Sequence, residues 1–513
     1  MSEFRSVVLW PDVAVACLAV ILSSIIARAI WNLRFSPLAQ QQIPGPAYAA
    51  VSDLWYQWQA IRFRRVFEVE RLFKEYGPVV RVGPNRVAFL DTQPIHEMYR
   101  AFAFNKAEWW KHGNFGGGTN TLITNDSVQH ARFRRWHSPG FRGDRLKKTA
   151  QALIGQMENL VERLHSDCAD GRAVDVLRLS KVHTLDMLGI ALFDFKFEQI
   201  RKREEPALIQ YNNDWLVDLA FRSTFPQVVY NLLKKLPVRR LQEIFSADAG
   251  ICEVSERMYD ATPDEPTETE GMNIVALGKW SRDPVTGDKT PRAEVVSELG
   301  IFLLAGTDTT SVTLTMILYE LALQSKLYLN IRDELRQIGD QERVYNIDFL
   351  RGLPYLGAVI KDVLRVHGPA SAYLERTVSA GGIELGGFTL PAGTEVGATA
   401  RATGRNEILF PNPELVDPER WVERKGDKWV ERDDFASKNS AWFPFGVGVR
   451  ACVGRSLAEV EILMTIAAVV SNFRITLHET TTKESMTPVD VAVVGPKAQR
   501  CLLHFASHGL TED

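Results

Sequence analysis

The sequence has little cysteine and almost no net charge. Its 513 residues carry a formal net charge of −3, which gives no reason to expect a nucleic-acid partner. No two of its five cysteines form a Cys-x-x-Cys pair, which argues against a zinc ribbon or a redox dithiol. An odd and sparse cysteine count is not a disulfide framework, so we expect most of the chain to lie in a reducing compartment.

A phosphate-binding loop is also lacking. The glycine-rich stretch at residues 111–120, KHGNFGGGTN, has no Gly-Lys-Ser/Thr ending, so we predict a mobile loop there and not a nucleotide site. The acidic stretch at residues 261–271 contains two prolines and is typical of a surface loop between helices. The sequence shows no internal repeat.

Long apolar runs are scarce outside one segment near the N-terminus. Residues 13–27 read VAVACLAVILSSIIA, and with the residues up to Trp31 they reach about the length that spans a bilayer, roughly 20 residues. A signal peptide is the alternative, although the basic region before the run is weak and no clear cleavage site follows it. Arginines are more frequent after the run than before it, which predicts that the large C-terminal part faces the cytoplasm.

The run and the residues after it suggest a division into domains. We assign residues 1–34 to a membrane anchor and residues 35–46, which end in Pro-Gly-Pro, to a stiff, extended hinge. Residues 47–508 then form the catalytic domain, and residues 509–513 form a tail.

Helical patterns dominate the rest of the chain. Thr290 and Pro291 are typical of a helix N-cap and first turn, and the apolar stretch that follows predicts a long buried helix to about Leu323. A second helix is predicted from Pro354 to Val366. Short strands are predicted at residues 79–83, 86–90 and 389–398. The balance predicts a mainly α fold with a minor β part (α+β), preceded by a transmembrane helix.

A cysteine lies in a glycine-rich loop near the C-terminus, FGVGVRACVG at residues 445–454. Glycines let a backbone turn tightly and approach a flat ligand closely. Amide N–H groups in such a loop, and the start of the helix that follows, favour the thiolate of Cys452. Arg450 offers a forked donor for a carboxylate. These features together suit an iron porphyrin, and a buried structural cysteine in a tight turn is the alternative.

The spacing F-x-x-G-x-R-x-C-x-G resembles the haem-ligand loop of the cytochrome P-450 family. The match is complete at Phe445, Gly448, Arg450, Cys452 and Gly454. The resemblance implies that Cys452 is the proximal ligand of the iron of haem b, and an axial thiolate favours O–O cleavage. It further implies that Phe445 shields the sulfur, that Gly446 belongs to the haem loop and that Arg450 binds a haem propionate.

The long helix carries AGTDTT at residues 305–310. Gly306 allows close packing on the helix face, and Thr309 can bond back into its own helix and loosen it. Asp308 is a carboxylate in an apolar helix, which is costly unless it is functional or paired. An acid–alcohol pair can relay protons, and a kinked helix with a capped Asp308 is the alternative. The segment looks like the oxygen-activation motif of the family, with Thr309 and Asp308 as catalytic residues and Gly306 beside the cofactor.

Three further basic residues resemble the family's propionate contacts. His130 and Arg134 lie four residues apart on one helix face and are similar to its Trp-x-x-x-Arg pattern, with His in place of Trp. Arg376 matches the arginine after the second helix. A basic run at residues 132–148 is either a solvated face or a docking site for an acidic flavoprotein reductase.

A fourth family pattern is structural. Asp362-x-x-Arg365 resembles the family's Glu-x-x-Arg, and PERW at residues 418–421 supplies Arg420 as its third member. Asp362 is one methylene shorter than Glu, so we expect the network to persist with a shifted geometry. The shortening bears on the two-point contact between Asp362 and Arg365 and not on the fold.

The resemblance implies a microsomal, fungal-type monooxygenase. Such an enzyme takes electrons from NADPH through a separate NADPH–cytochrome P-450 reductase and inserts one atom of O2 into a hydrophobic small molecule. Anchored in the endoplasmic reticulum by one span, it hydroxylates or epoxidises a secondary metabolite of terpenoid, polyketide or aromatic type. Apolar pocket walls are expected near residues 109–123, 302–305, 370–374 and 493–494, with Ser371 and Tyr373 as polar contacts.

Two alternatives remain open at this point. One is a haem-thiolate isomerase or dehydratase that needs no reductase, although such chemistry has no use for the proton relay. The other is a non-catalytic haem-binding or partner-binding protein. The complete oxygen-activation motif argues against both.

Overall fold

A computed structural model describes residues 10–100, 104–169, 171–265, 273–284, 286–337 and 345–508. The α-helices are α1 (Trp10–Ile30), α2 (Pro37–Gln40), α3 (Ala47–Val51), α4 (Leu54–Ile61), α5 (Arg65–Tyr76), α6 (Thr92–Arg100), α7 (Ser127–His137), α8 (Gly143–Ala169), α9 (Val176–Leu188), α10 (Gln199–Lys202), α11 (Ala207–Thr224), α12 (Gln227–Leu233), α13 (Arg239–Phe245), α14 (Ala247–Ala261), α15 (Ile274–Trp280), α16 (Arg292–Leu323), α17 (Ser325–Arg336), α18 (Ile347–Leu350), α19 (Pro354–His367), α20 (Ala400–Thr403), α21 (Phe435–Ser440) and α22 (Arg455–Asn472).

The strands are β1 (Val79–Gly83), β2 (Arg86–Phe89), β3 (Phe104–Lys106), β4 (Val174–Asp175), β5 (Arg376–Val378), β6 (Ile383–Leu385), β7 (Phe388–Leu390), β8 (Glu395–Gly397), β9 (Val422–Lys425), β10 (Lys428–Glu431), β11 (Phe473–Leu477), β12 (Pro488–Val491), β13 (Val493–Pro496) and β14 (Leu502–Ser507). The main sheet has the order β1-β2-β8-β5-β3, in which only β2 and β8 pair in parallel. The mainly α fold with a minor β part is confirmed.

Helix α16 is the centre of the helical part. It packs against α9, α14, α19 and α22, and apolar side chains around most of its circumference are buried. A helix that is apolar on most sides is stable only when neighbours cover it, as they do here. The predicted end at Leu323 is confirmed, but Thr290 is not the N-cap: the helix begins one residue later than expected, with Pro291 at that position.

The N-terminal apolar helix stands apart from this core. Residues Val13–Gln40 form a candidate membrane span: an 18-residue window within them has a mean hydropathy of 2.4, and none of that window is buried against the rest of the chain. A π-helical turn at Trp31–Phe35 and helix α2 follow it. The segment expected to be an extended hinge is therefore partly helical, and Leu38 and Ile43 are buried in the apolar cluster under the main sheet.

Two loop predictions have different outcomes. The glycine-rich loop predicted to be mobile is packed, because Phe115 and Asn120 are fully buried and the amide group of Asn120 donates to Ser297 of α16 at 3.1 Å. A side chain at Gly118 would overlap the backbone of Ala293, which explains the glycine there. Most of the acidic loop, at residues 266–272, lies outside the described residues.

The Asp362 network positions the segment before the cysteine loop. Arg365 donates to both carboxylate oxygens of Asp362, at 2.7 and 3.0 Å, so the two-point contact survives the shorter side chain. The third member differs from expectation: Trp421 donates to Asp362 at 2.8 Å. Arg420 instead donates to the carbonyl oxygens of Pro411 and Asn412. The indole that reaches the carboxylate belongs to the residue directly after Arg420 in the sequence.

Candidate active site

The loop around Cys452 is held by its own backbone. The N–H of Cys452 donates to the carbonyl oxygen of Phe445 at 2.8 Å, which closes the loop on itself. Gly446 and Gly448 have φ angles of 68° and 75°, which favour glycine. A Cβ at Gly448 would also overlap the carbonyl oxygen of Tyr99, so this position excludes any side chain.

The sulfur of Cys452 faces an internal cavity. Cys452 is exposed, but the surface it exposes is that of this cavity. Burial among the atoms around the cavity raises the pKa of its thiol. Hydrogen bonds from the N–H groups of Gly454 and Arg455, and the charge of Arg134, lower this pKa and so oppose the effect of burial. Both N–H groups belong to the start of α22, where the helix dipole favours an anion. These N–H groups therefore favour the thiolate, which is the form in which a cysteine binds a metal ion.

The cavity has a volume of about 440 Å³ and mostly apolar walls. Phe445 and Gly446 of the cysteine loop line it, as do Gly306 and Thr309 of α16. The structure thus places the cysteine loop and the long helix, which lie more than a hundred residues apart in the sequence, on one cavity.

Five basic side chains gather beside the cysteine loop, and we call them the basic cluster. They are Lys106, His130, Arg134, Arg376 and Arg450. All of them except Arg376 line the cavity; Arg376 is buried behind that wall. Arg450 donates to the carbonyl oxygen of Thr124 at 2.8 Å, and Arg376 donates to that of Glu375 at 2.9 Å.

Members of the basic cluster repel one another. Burial, followed by the charges of Arg450 and the other members, lowers the pKa of His130 to about 3. Burial, with the charge of Arg376, lowers the pKa of Arg450 to about 10. The same causes lower the pKa of Lys106 well below its ordinary value. Buried cations that depress each other's pKa form a donor set suited to anions, and a pair of carboxylates would satisfy it.

The described residues fit an iron porphyrin on these grounds. One thiol with two N–H donors faces a cavity whose walls are mostly apolar. A basic cluster lies next to it, where the two propionates of a porphyrin can be bound.

Thr309 and Asp308 do not point the same way. The hydroxyl of Thr309 donates to the carbonyl oxygen of Ala305 at 2.7 Å, as expected for a threonine that bonds back into its own helix. Thr309 and Ala305 both line the cavity. Asp308 does not line the cavity. Its carboxylate is buried and lies 2.9 Å from the ammonium of Lys181 on α9, which supplies the partner that a buried acid requires.

Some expected contacts of the pocket differ from the structure. Ser371 and Tyr373 do not line the cavity, because their hydroxyls donate to the carbonyl oxygens of Gly368 and Val87. A Cβ at Gly306 would meet the side chain of Leu188 at 2.9 Å, so the close packing that this glycine permits is with α9.

The apolar wall segments are mostly where they were expected. Trp109, Phe302, Ala370 and Val493 each contribute to the cavity. In the basic run, Arg132, Arg145 and Lys147 form ion pairs with Glu294, Asp194 and Asp348, so three of the run's seven lysines and arginines are already paired.

Sequence reasoning missed several charged groups in this cavity, among them Lys106 and Glu298. Lys106 on β3 carried no signal, since nothing in the stretch around it suggests a site. Glu298 did carry one: it precedes Phe302, Ala305 and Thr309 by 4, 7 and 11 positions, which places all four on one face of α16.

Glu298 is fully buried, and its carboxylate accepts a hydrogen bond from the N–H of Thr121 at 2.7 Å. Its other oxygen lies 3.4 Å from Nε2 of His137. Burial raises the pKa of Glu298 to about 7 and lowers that of His137 to about 3. His137 is thus neutral near pH 7, and the contact is not an ion pair.

The thiol of Cys452 faces the cavity, the basic cluster lies beside it, and Thr309 of α16 lies in the cavity wall. Together these features define a haem-thiolate oxygenase. The sequence matches the family described as Cytochrome P450 over residues 46–502. The chain belongs to the cytochrome P450 family, which confirms the resemblance seen in its motifs.

Fungal proteins are similar to this chain over nearly its whole length. Cytochrome P450 monooxygenase orf2 of Aspergillus niger is 28% identical, over 95% of this chain and 96% of its own. Tryprostatin B 6-hydroxylase of Aspergillus fumigatus is 26% identical, over 91% of this chain and 80% of its own. A crystal structure of a cytochrome P450 superposes with a TM-score of 0.73 at 18% identity, over 86% of this chain and 98% of that one, and shows the fold. The chain is therefore a monooxygenase, and its N-terminal apolar helix fits a membrane anchor.

Proposed function

We propose that this monooxygenase takes electrons from NADPH through a separate NADPH–cytochrome P-450 reductase and hydroxylates or epoxidises a hydrophobic small molecule of secondary metabolism. Support comes from the cavity, whose walls are mostly apolar and which holds both Cys452 and Thr309. The similarity to fungal enzymes, one of which is described as a tryprostatin B hydroxylase, supports the metabolic role. The apolar N-terminal helix supports a single span in the endoplasmic reticulum membrane, with the catalytic domain in the cytoplasm.

Haem b would be held by residues of the cysteine loop and the basic cluster. Cys452 is the proposed iron ligand, with Phe445 and Gly446 against the ring. Arg134, Arg376 and Arg450 donate to the propionates, together with His130. When bound, the haem supplies the activation of O2 by electron transfer, and a thiolate ligand favours O–O cleavage.

Thr309 is the proposed proton donor on the cavity side of α16. Its hydroxyl holds a proton in a hydrogen bond to Ala305, at a wall that is otherwise apolar. Asp308 is the proposed acid that supplies this proton, and its carboxylate must turn away from Lys181 to do so. We propose that protons reach the site by this relay, as general acid catalysis requires.

The iron ligand is tested by the absorption spectrum of the reduced protein with carbon monoxide. We expect a strongly red-shifted Soret band for the wild type and for Cys252→Ser, a control cysteine outside the cavity lining, and no such band for Cys452→His. A red-shifted band in Cys452→His would overturn the assignment. Absence of haem in all three proteins would remove the enzyme proposal.

The relay is tested by counting product formed per NADPH consumed. We expect Thr309→Ala to consume NADPH with a large fall in product, because protons no longer reach the reaction in step with electrons. Thr313→Ala is the matched control, since its hydroxyl makes the same type of bond, to the carbonyl oxygen of Thr309 at 2.9 Å. Unchanged coupling in Thr309→Ala would refute the relay. Product formed without NADPH would favour an isomerase or dehydratase.

A further inference from the structure

Arg65 adds a charged group to the wall of the apolar cavity. It is the first residue of α5, and its side chain lines the cavity that Cys452 also lines. Its guanidinium lies over the rings of Tyr56 and Trp109, with centroid distances of 5.0 and 5.8 Å. Across the described residues this guanidinium forms no hydrogen bond or ion pair. A guanidinium has five N–H donors, so Arg65 offers donors to whatever enters the cavity.

The aromatic rings around Arg65 are themselves fixed. Glu375 is fully buried, and its two oxygens accept hydrogen bonds from the hydroxyl of Tyr56 at 2.7 Å and from the indole N–H of Trp109 at 2.8 Å. Both oxygens of Glu375 are thus engaged by the two rings that flank the guanidinium. This frame holds Arg65 in place in the way that second-layer hydrogen bonds hold a binding group.

The charges that act on Arg65 differ from those that act on His130 in the basic cluster. The groups whose charges act on Arg65 are Tyr56, Glu375, Asp490 and Arg86. The charges that act on His130 all come from other members of the basic cluster. The cavity therefore has one polar region beside Cys452 and another around Arg65, and the charge of Glu375 acts both on Arg65 and on Arg376 of the basic cluster.

Acidic groups outnumber basic ones around Arg65. Arg65 and Arg86 are the two cations, and the surrounding carboxyls are Asp53, Glu375, Glu395 and Asp490. Arg86 is already paired with Asp53, at 2.8 Å, and with Glu395. Another carboxylate placed here would be repelled, whereas an uncharged oxygen acceptor would not. The open donors therefore suit a carbonyl or hydroxyl oxygen.

We propose that Arg65 binds an uncharged oxygen of the substrate, a carbonyl or a hydroxyl, and so fixes which part of the molecule lies beside Thr309. The proposal rests on the proposed monooxygenase function, because only then does the cavity hold a substrate. One hydrogen bond to a charged donor inside an otherwise apolar pocket is enough to orient a hydrophobic molecule.

The test uses ligands that bind whatever the natural substrate is. N-alkylimidazoles coordinate a haem iron through the imidazole and send their tail into the cavity. Three series of increasing tail length end in a methyl group, a methyl ketone or a carboxylate. Dissociation constants come from the shift of the Soret band. At the tail length that reaches Arg65, we expect the ketone to bind about tenfold tighter than the methyl compound, and the carboxylate to bind no tighter than the ketone.

Arg65→Met keeps the length of the side chain and removes its donors, so we expect it to abolish the preference for the ketone and to leave methyl-tail binding unchanged. Arg64→Met is the matched control, because Arg64 is the neighbouring arginine and pairs with Glu68 on the surface. A preference that persists in Arg65→Met, or no preference at any tail length, overturns the proposal.

An Arg65-dependent preference for the carboxylate overturns the choice of an uncharged oxygen. Haem content and the carbon monoxide spectrum are measured on each variant. Loss of the spectrum in the wild type would overturn the proposed function. A normal spectrum without a ketone preference overturns only the role of Arg65.

Discussion

Replacement of Glu298 by glutamine should change how the stability of this protein depends on pH. Glu298 is fully buried on α16, and burial raises its pKa to about 7 from an ordinary value of 4.5. One pKa unit corresponds to about 1.4 kcal/mol of free energy. A shift of this size therefore costs about 3 kcal/mol of folding free energy once the carboxyl is ionised.

The direction follows from the raised pKa. The folded state binds the proton of Glu298 more tightly than the unfolded state, so this contribution to stability is complete below about pH 4.5 and is lost as the pH rises through about 7. A glutamine side chain at this position does not titrate and can still accept the hydrogen bond from Thr121. Relative to the wild type, Glu298→Gln should gain about 3 kcal/mol between pH 5 and pH 8.

The charged groups around Glu298 modify this value without reversing it. The N–H of Thr121 and the charge of Lys106 lower the pKa of Glu298, and the charge of Glu294 raises it, but burial is the largest cause. His137 adds no charge in this range because burial holds its pKa at about 3.

Urea unfolding followed by tryptophan fluorescence at pH 5, 6, 7 and 8 measures the effect. Glu75→Gln controls for the removal of one carboxylate, since Glu75 is 48% exposed and pairs with Arg71 on the surface. The reasoning is refuted if the stabilities of Glu298→Gln and wild type run parallel across the range, or if Glu75→Gln shows the same gain.

Three other predictions follow from the network of Asp362, the cysteine loop and the N-terminal helix. Trp421→Phe removes the indole donor to the buried carboxylate of Asp362 and should lower the unfolding free energy by about 2 kcal/mol. Asp362→Ala leaves Arg365 buried without its partner and should lower it by about 3–5 kcal/mol, and equal losses for the two variants in urea unfolding would contradict the network. Gly448→Ala should give no haem-loaded protein, because its Cβ overlaps a backbone carbonyl; a normal carbon monoxide spectrum would refute the clash. Deletion of residues 1–30 removes the apolar helix and spares the hydrogen bond from Asn32 to Val51, so it should move the protein from the membrane to the soluble fraction with its haem spectrum intact. A shortened protein that stays in the membrane would argue against a single anchor.

Local patterns were sufficient wherever a feature is contained in one stretch of chain. The cysteine loop is such a feature, because the hydrogen bond that closes it joins Cys452 to Phe445 within the motif. The apolar length of α16 and strand β1 were predictable for the same reason, because hydrophobic periodicity reports burial locally. The N-cap of α16 was missed by one residue, which is the usual uncertainty at helix ends.

Contacts between distant segments could not be predicted in the same way. Arg420 was expected to complete the network of Asp362 and Arg365, and Trp421 donates to Asp362 instead, a contact that only the three-dimensional placement of both side chains decides. Asp308 was expected to be either functional beside Thr309 or paired, and only the structure shows that a lysine on another helix pairs with it. Ser371 and Tyr373 were expected in the cavity, and their hydroxyls serve the backbone instead.

The sequence by itself determined the family, the thiolate loop, the threonine of α16 and the apolar N-terminal helix, because each depends on residue types at fixed short spacings. The tertiary structure alone decided which charges meet. It brings Lys106, His130, Arg376 and Arg450 together from four separate segments, and it sets Arg65 between two aromatic rings that a buried carboxylate holds. Electrostatic interactions depend on distance and burial, and neither quantity is encoded in the order of residues along the chain.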